Sequence, residues 1–123
     1  MSNILVIDDD DGIREALKAA LEYEGYVVST AENGQIALDL LQSGQNPCFI
    51  VLDLMMPVMD GWTFAAKLAE DPKLSQIPFV VVSAFEDKAQ NLQAKDIFKK
   101  PVNLKVLFDS INKWCTDKGA SHG

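Results

Sequence analysis

A doubly wound α/β domain on a parallel sheet is the fold class this sequence predicts, and two observations predict it. Short apolar runs alternate five times with stretches of helical periodicity, and the runs are continuous rather than polar at every second residue. Strands covered on both faces need such runs, and helices crossing between parallel strands supply the cover. The crossovers are expected to be right-handed. The chain has 123 residues, which suits one domain with a proper core.

ILVI at 4–7 is the first strand. Ile13, Leu17, Ala20 and Leu21 then recur at helical steps, after the capping-type Asp10 and Asp11 and before a stop at Gly25. YVVST at 26–30 is the second strand. Ile36, Ala37, Leu40 and Leu41 form the next helical stripe, opened by Asn33-Gly34 and closed by Gly44. CFIVL at 48–52 is the third strand, and Phe64, Ala65, Leu68 and Ala69 form a helix ended by Asp71-Pro72. PFVVVS at 78–83 is the fourth strand, and residues 86–92 are a short, polar helix candidate. DIFK at 96–99 is the weakest strand. Leu104, Leu107, Phe108, Ile111, Trp114 and Cys115 mark the last and clearest helix. Residues 1–117 are read as the domain and 118–123 as a loose tail, in which His122 is incidental.

Composition excludes several classes. A net charge of −7 argues against a nucleic-acid phosphate backbone as the ligand. No stretch approaches the roughly 18 apolar residues of a membrane span, and the start turns acidic before a signal peptide could form. A cytoplasmic protein is expected. Cys48 and Cys115 could pair in principle, but Cys48 inside an apolar run reads as a small hydrophobe.

In such sheets ligands sit beyond the carboxyl ends of the strands. After the first strand stand Asp8, Asp9, Asp10 and Asp11; Asp53 closes the third, Ser83 the fourth, and Lys99-Lys100-Pro101 the fifth. Singly, these are ordinary residues: caps, turn formers, a loop Lys-Pro. Together they put carboxylates, a hydroxyl and an ammonium on one rim. Two like charges about 4 Å apart repel by roughly 4 kcal/mol at an effective dielectric of 20. Clustered carboxylates therefore shift their pKa values or hold a cation, and oxygen ligands favour a hard ion such as Mg²⁺. Lys100 offsets charge and can grip an anion, to which Ser83 can donate. The set suits phosphoryl transfer to a carboxylate.

With these residues in view, the chain resembles the receiver domain of two-component response regulators, most specifically in DLMMPVMDGW at 53–62. The resemblance implies a flavodoxin-like (βα)5 three-layer sandwich with strand order 2-1-3-4-5. It also implies that Asp53 is the phosphoacceptor, with Asp8, Asp9, Asp53 and the backbone carbonyl of Met55 around Mg²⁺ or Mn²⁺. Ser83 and Lys100 would contact the phosphoryl group. Ala84 is small beside it, and the bond before Pro101 is often cis in such domains. Gly61 is expected to take backbone angles closed to other residues. Met55 and Phe85 lie where the family varies its dephosphorylation rate.

Two departures stand out. The span from Ser83 to Lys100 is short for the family, so a shortened or irregular fourth helix is expected. Ile97 occupies the position of the aromatic that changes rotamer on activation, and the neighbouring Phe98 faces the other way. The function implied is a stand-alone response regulator, monomer or weak dimer. It takes phosphate from a histidine kinase or phosphotransfer protein and signals by protein contact, with no DNA-binding or enzymatic domain attached. A phosphorylation-independent interaction module is the alternative. An aspartyl phosphohydrolase is opposed by the absence of a cap-sized insertion and of a second acid beside Asp53. The chain is not expected to be a multiple-turnover enzyme.

Overall fold

Continuous apolar strands become, in the computed structural model, a sheet covered on both sides. The structure describes residues 3–84 and 92–115. Five strands, β1 (Asn3–Ile7), β2 (Val27–Ala31), β3 (Phe49–Leu52), β4 (Phe79–Ser83) and β5 (Asp96–Lys99), lie in the order β2-β1-β3-β4-β5. Every neighbouring pair is parallel. Four helices are described: α1 (Asp11–Tyr23), α2 (Gly34–Gln42), α3 (Gly61–Glu70) and α4 (Leu104–Trp114). A short 3-10 turn, Leu74–Gln76, precedes β4.

Each helix starts by the same device. The side-chain oxygens of Asp10, Asn33, Asp60 and Asn103 accept hydrogen bonds from the backbone N–H three residues on, at 3.0, 2.9, 2.8 and 3.2 Å. Such a cap is worth about 1 kcal/mol. Gly25 and Gly44, at φ +98° and +113°, turn the chain after α1 and α2, where a side chain would be strained.

The strict alternation of the strands divides the core. Leu5, Ile7, Ile50, Leu52, Phe79 and Val81 face α2 and α3, where Ala37, Leu41, Phe64 and Leu68 meet them. Ile4, Val6, Phe49, Val51, Val80 and Val82 face α1 and α4, against Leu17, Leu21, Leu107 and Ile111. The result is the three-layer sandwich, with strand order 2-1-3-4-5. Ile97 packs with the first group and Phe98 with the second, so the two cannot exchange roles.

Three expectations need correction. In α2 the buried face is Ala37, Leu38 and Leu41, while Ile36 is 36% exposed. With Ile36, Leu38 and Leu40 all apolar, α2 offers more than one face, and packing on the sheet decides among them. Ala69 and Leu104 are likewise exposed, at the outer face of α3 and the first turn of α4. Cys48 is not a lone hydrophobe: it is disulfide-bonded to Cys115, with the two Cα atoms 5.0 Å apart. Residues 67 apart meet because α4 ends where β3 begins. Residues 86–91 of the helix candidate at 86–92, where the shortened fourth helix was expected, lie outside the described residues, as do Phe85, His122 and the tail. No described helix is long and apolar enough to cross a membrane.

Candidate functional site

Register brings the acids together. Ile7 and Leu52 are partners across β1 and β3, so Asp8 and Asp53 leave the sheet side by side. The Asp53 N–H donates to the Ile7 carbonyl at 2.9 Å, and the Asp8 N–H to the Ala31 carbonyl at 3.1 Å. Across the rim, Ser83 pairs with Lys99, and the Lys100 N–H donates to the Ser83 carbonyl at 2.9 Å. The Lys100–Pro101 peptide is cis.

Buried charge needs compensation, and here it is partial. Asp8 and Asp53 are only 2% and 5% exposed, and Ser83 is fully buried. The other buried polar side chains among the described residues have structural partners: Asn33 caps α2, and Ser110 donates to Asp96 at 2.6 Å, joining α4 to β5. Lys100 Nζ lies 3.0 Å from Asp8 Oδ2 and 3.5 Å from Asp53 Oδ1. Asp8 Oδ1 also accepts the Asp10 N–H, and Asp53 Oδ1 the Leu54 N–H, both at 2.9 Å. Asp9 is exposed, yet carboxylate oxygens of Asp8, Asp9 and Asp53 lie within 4.8 Å of one another. Among the described residues, three carboxylates therefore face one ammonium. An all-oxygen set with surplus negative charge fits a hard divalent cation.

The structure thus gathers Asp8, Asp9, Asp53, Ser83 and Lys100 as the sequence suggests. Met55 is exposed and, with Asp9, Met56, Pro57, Asp60 and Trp62, lines a cavity of about 480 Å³ beside the acids. Ala84 is exposed next to Ser83, and Ile97, partly buried, pairs with Val81 two residues back from the Ser83–Lys99 pair. Sequence reasoning missed Arg14. Its Nη1 donates to the Asp8 carbonyl at 2.8 Å and its other terminal nitrogen pairs with the Asp11 carboxylate. The signal was present: an arginine in the first turn of a helix that begins on the last of four aspartates.

The family model for the response regulator receiver domain matches residues 4–112. The chain belongs to that family. It is 38% identical over 112 residues to response regulator PleD of Caulobacter vibrioides, a match that covers 87% of this chain and 24% of PleD. It is 35% identical over 118 residues to an uncharacterized 14.6 kDa protein of Leptolyngbya boryana, covering 92% of this chain and 89% of that one. Among solved structures it is similar to response regulator protein TrrA of Thermotoga maritima in complex with Mg²⁺-BeF, at 32% identity and a TM-score of 0.83. That match covers 93% of this chain and 99% of TrrA. The chain therefore spans about a quarter of PleD but most of the two smaller proteins.

Two further features shape this receiver's site. The special backbone conformation of the loop after β3 falls at Val58, φ +69°, and not at Gly61. Gly61 is needed for close approach instead: a Cβ there would stand 2.5 Å from the Asp53 carbonyl oxygen. The second feature is the acidity of Asp53. Burial, then the Asp8 charge, push its carboxyl up from 3.8 to about 6, against the opposing pull of Lys100 and the Leu54 N–H. Burial pulls Lys100 down, but its hydrogen bond and charge contact with Asp8, with the Asp53 charge, outweigh that and leave it raised.

A stability consequence follows. Asp53 binds its proton more tightly in the folded than in the unfolded receiver. The stability this gives is fully present below about pH 4 and is lost as pH rises through about 6. Two units correspond to about 2–3 kcal/mol. In EDTA, Asp53→Asn should accordingly raise stability at pH 7 by about 2 kcal/mol and flatten the profile between pH 4 and 7. Urea unfolding across that range checks it; a mutant less stable at pH 7 refutes it.

Proposed function

We propose that this receiver is a phosphorylation switch in which Asp53 accepts a phosphoryl group from a phosphohistidine, on a histidine kinase or phosphotransfer protein. The observation that carries the reading is Lys100 bridging Asp8 and Asp53 at the rim where the buried hydroxyl residue Ser83 ends β4. An Asp53 carboxylate oxygen attacks phosphorus, the P–O bond forms, and the P–N bond to imidazole breaks. Asp8, Asp9 and Asp53, with the Met55 carbonyl, would hold Mg²⁺. When bound, the ion supplies neutralisation of charge on the transferring oxygens. TrrA, with this fold, is described in complex with Mg²⁺-BeF, which supports the choice of ion.

Lys100 pairs with the acids before transfer and turns to the phosphoryl oxygens after it, and Ser83 supplies a hydroxyl donor. These new contacts bias a two-state equilibrium, whose output is a protein contact. The chain acts as a phosphoacceptor rather than a multiple-turnover enzyme, works in the cytoplasm, and functions as a monomer or weak dimer. Ile97, in place of the rotating aromatic, leaves the switch to other residues of the β4–β5 edge.

Intact-mass spectrometry after incubation with acetyl phosphate and Mg²⁺ tests the reading. The wild type should gain one phosphoryl group, and Asp53→Asn or EDTA should abolish the gain. An equal gain in the mutant would overturn the assignment.

A further inference from the structure

We propose that Cys48 and Cys115 form a redox-responsive clamp that sets the stability of the site-bearing part of the sheet. The bond closes the chain between the residue before β3 and the C-cap of α4, 67 positions apart. Asp53, Ser83 and Lys100 all lie within that closed span, whereas Asp8 and Asp9 lie outside it. A cross-link across so long a span restricts the unfolded chain strongly. It therefore favours the fold that carries three of the five site residues.

Position suits a clamp that leaves the chemistry free. The Cys48 N–H donates to the Asn3 carbonyl at 2.8 Å, at the amino end of the sheet. Asp53 stands at the other end of the same strand, about 16 Å away at the usual rise per residue. The two sulfurs differ in access: Cys115 is 1% exposed, while Cys48 is partly exposed. Exchange therefore begins at Cys48. An external thiolate attacks its sulfur, the S–S bond breaks, and the Cys115 thiolate leaves and takes a proton. A second thiol attacks the mixed disulfide, releases Cys48 as a thiol, and departs as the external disulfide. Two thiols are oxidised and one protein disulfide is reduced; the reverse sequence, with a small-molecule or protein disulfide as oxidant, closes the clamp.

Opening does not remove the core. The α4 residues Leu107 and Ile111 are themselves buried in the core, in contacts that do not involve the S–S bond. Non-covalent ties among the described residues also hold α4: the Ser110–Asp96 hydrogen bond, the Tyr26 hydroxyl donating to Asn112 Oδ1 at 2.9 Å, and Lys95 Nζ 4.7 Å from the centre of the Trp114 ring. The reduced protein is thus a folded but less stable form rather than an unfolded one. In the cytoplasm proposed above, such a bond is made and opened by exchange rather than kept permanently.

The test is a glutathione titration of the full chain, read by intact mass after rapid alkylation and by thermal melting. The expected result is reversible conversion between two forms differing by about 2 Da before alkylation. The oxidised form should melt about 10 °C higher than the reduced form. Cys48→Ala should melt like the reduced wild type under both conditions. Thiols that never pair under oxidised glutathione, or oxidised and reduced forms melting at the same temperature, would overturn the proposal. Neither readout depends on phosphorylation, so this test stands or falls apart from the proposed acceptor role of Asp53.

Discussion

Lys100→Met lowers the stability of the metal-free protein at pH 7 by about 2–4 kcal/mol, because it leaves two buried carboxylates facing each other. Methionine keeps the apolar stem, which lines a cavity with Ile13, Leu17 and Val82, so packing changes little. What is lost is the ammonium 3.0 Å from Asp8 and 3.5 Å from Asp53. Breaking a buried pair by removing one partner typically costs 3–5 kcal/mol; the side chain of Lys100 is 20% exposed, which reduces the figure. Two signatures separate this effect from generic damage. Saturating Mg²⁺ should restore much of the loss, since a cation held by the acids replaces the missing charge. Acid should also narrow the gap, as Asp53 protonates. Denaturation in EDTA and in Mg²⁺ checks both; a mutant as stable as wild type in EDTA contradicts the electrostatic account. Asp53→Asn and Lys100→Met thus move stability in opposite directions from one cluster.

Gly61→Ala should cost about 3 kcal/mol and most of the phosphoryl uptake, although the residue carries no chemistry. The added Cβ would stand 2.5 Å from the Asp53 carbonyl oxygen and 2.8 Å from the Leu54 Cα. Both are backbone atoms of the buried strand end, so no side-chain rotation relieves the contact. The chain must open where the Gly61 N–H donates to the Leu54 carbonyl at 2.9 Å. That opening moves the residue next to Asp53 and loosens the first turn of α3. Parallel melting and acetyl phosphate assays check the claim. Wild-type stability with full uptake would show that the close approach is not required.

Much of the fold was legible because physics leaves few choices for it. Continuous Val- and Ile-rich runs at 4–7, 48–52 and 78–83 fit strands covered on both faces, and helices between them follow. The same topology rule that places ligands beyond strand ends pointed to Asp8, Asp53, Ser83 and Lys100. Local patterns could not supply the rest. The face α2 buries was ambiguous because Ile36, Leu38 and Leu40 spread around it. Cys48 and Cys115 carry no sequence sign of meeting, since their contact depends on how α4 ends over the sheet. Arg14 was invisible as a site neighbour because its partner is a backbone carbonyl, that of Asp8. At Gly61 the residue was read correctly as special, but for the wrong reason. The constraint is a steric one from β3, while the left-handed residue is Val58.

The most direct test of the central claim is to trap the acceptor chemically. The wild-type protein is incubated with acetyl phosphate and Mg²⁺, reduced with borohydride, which converts an aspartyl phosphate to homoserine, and mapped by peptide mass spectrometry. Homoserine at position 53, and at neither position 8 nor position 9, is the predicted result. Homoserine at Asp8 or Asp9, or an unmodified Asp53 in protein that has gained a phosphoryl group, would contradict it.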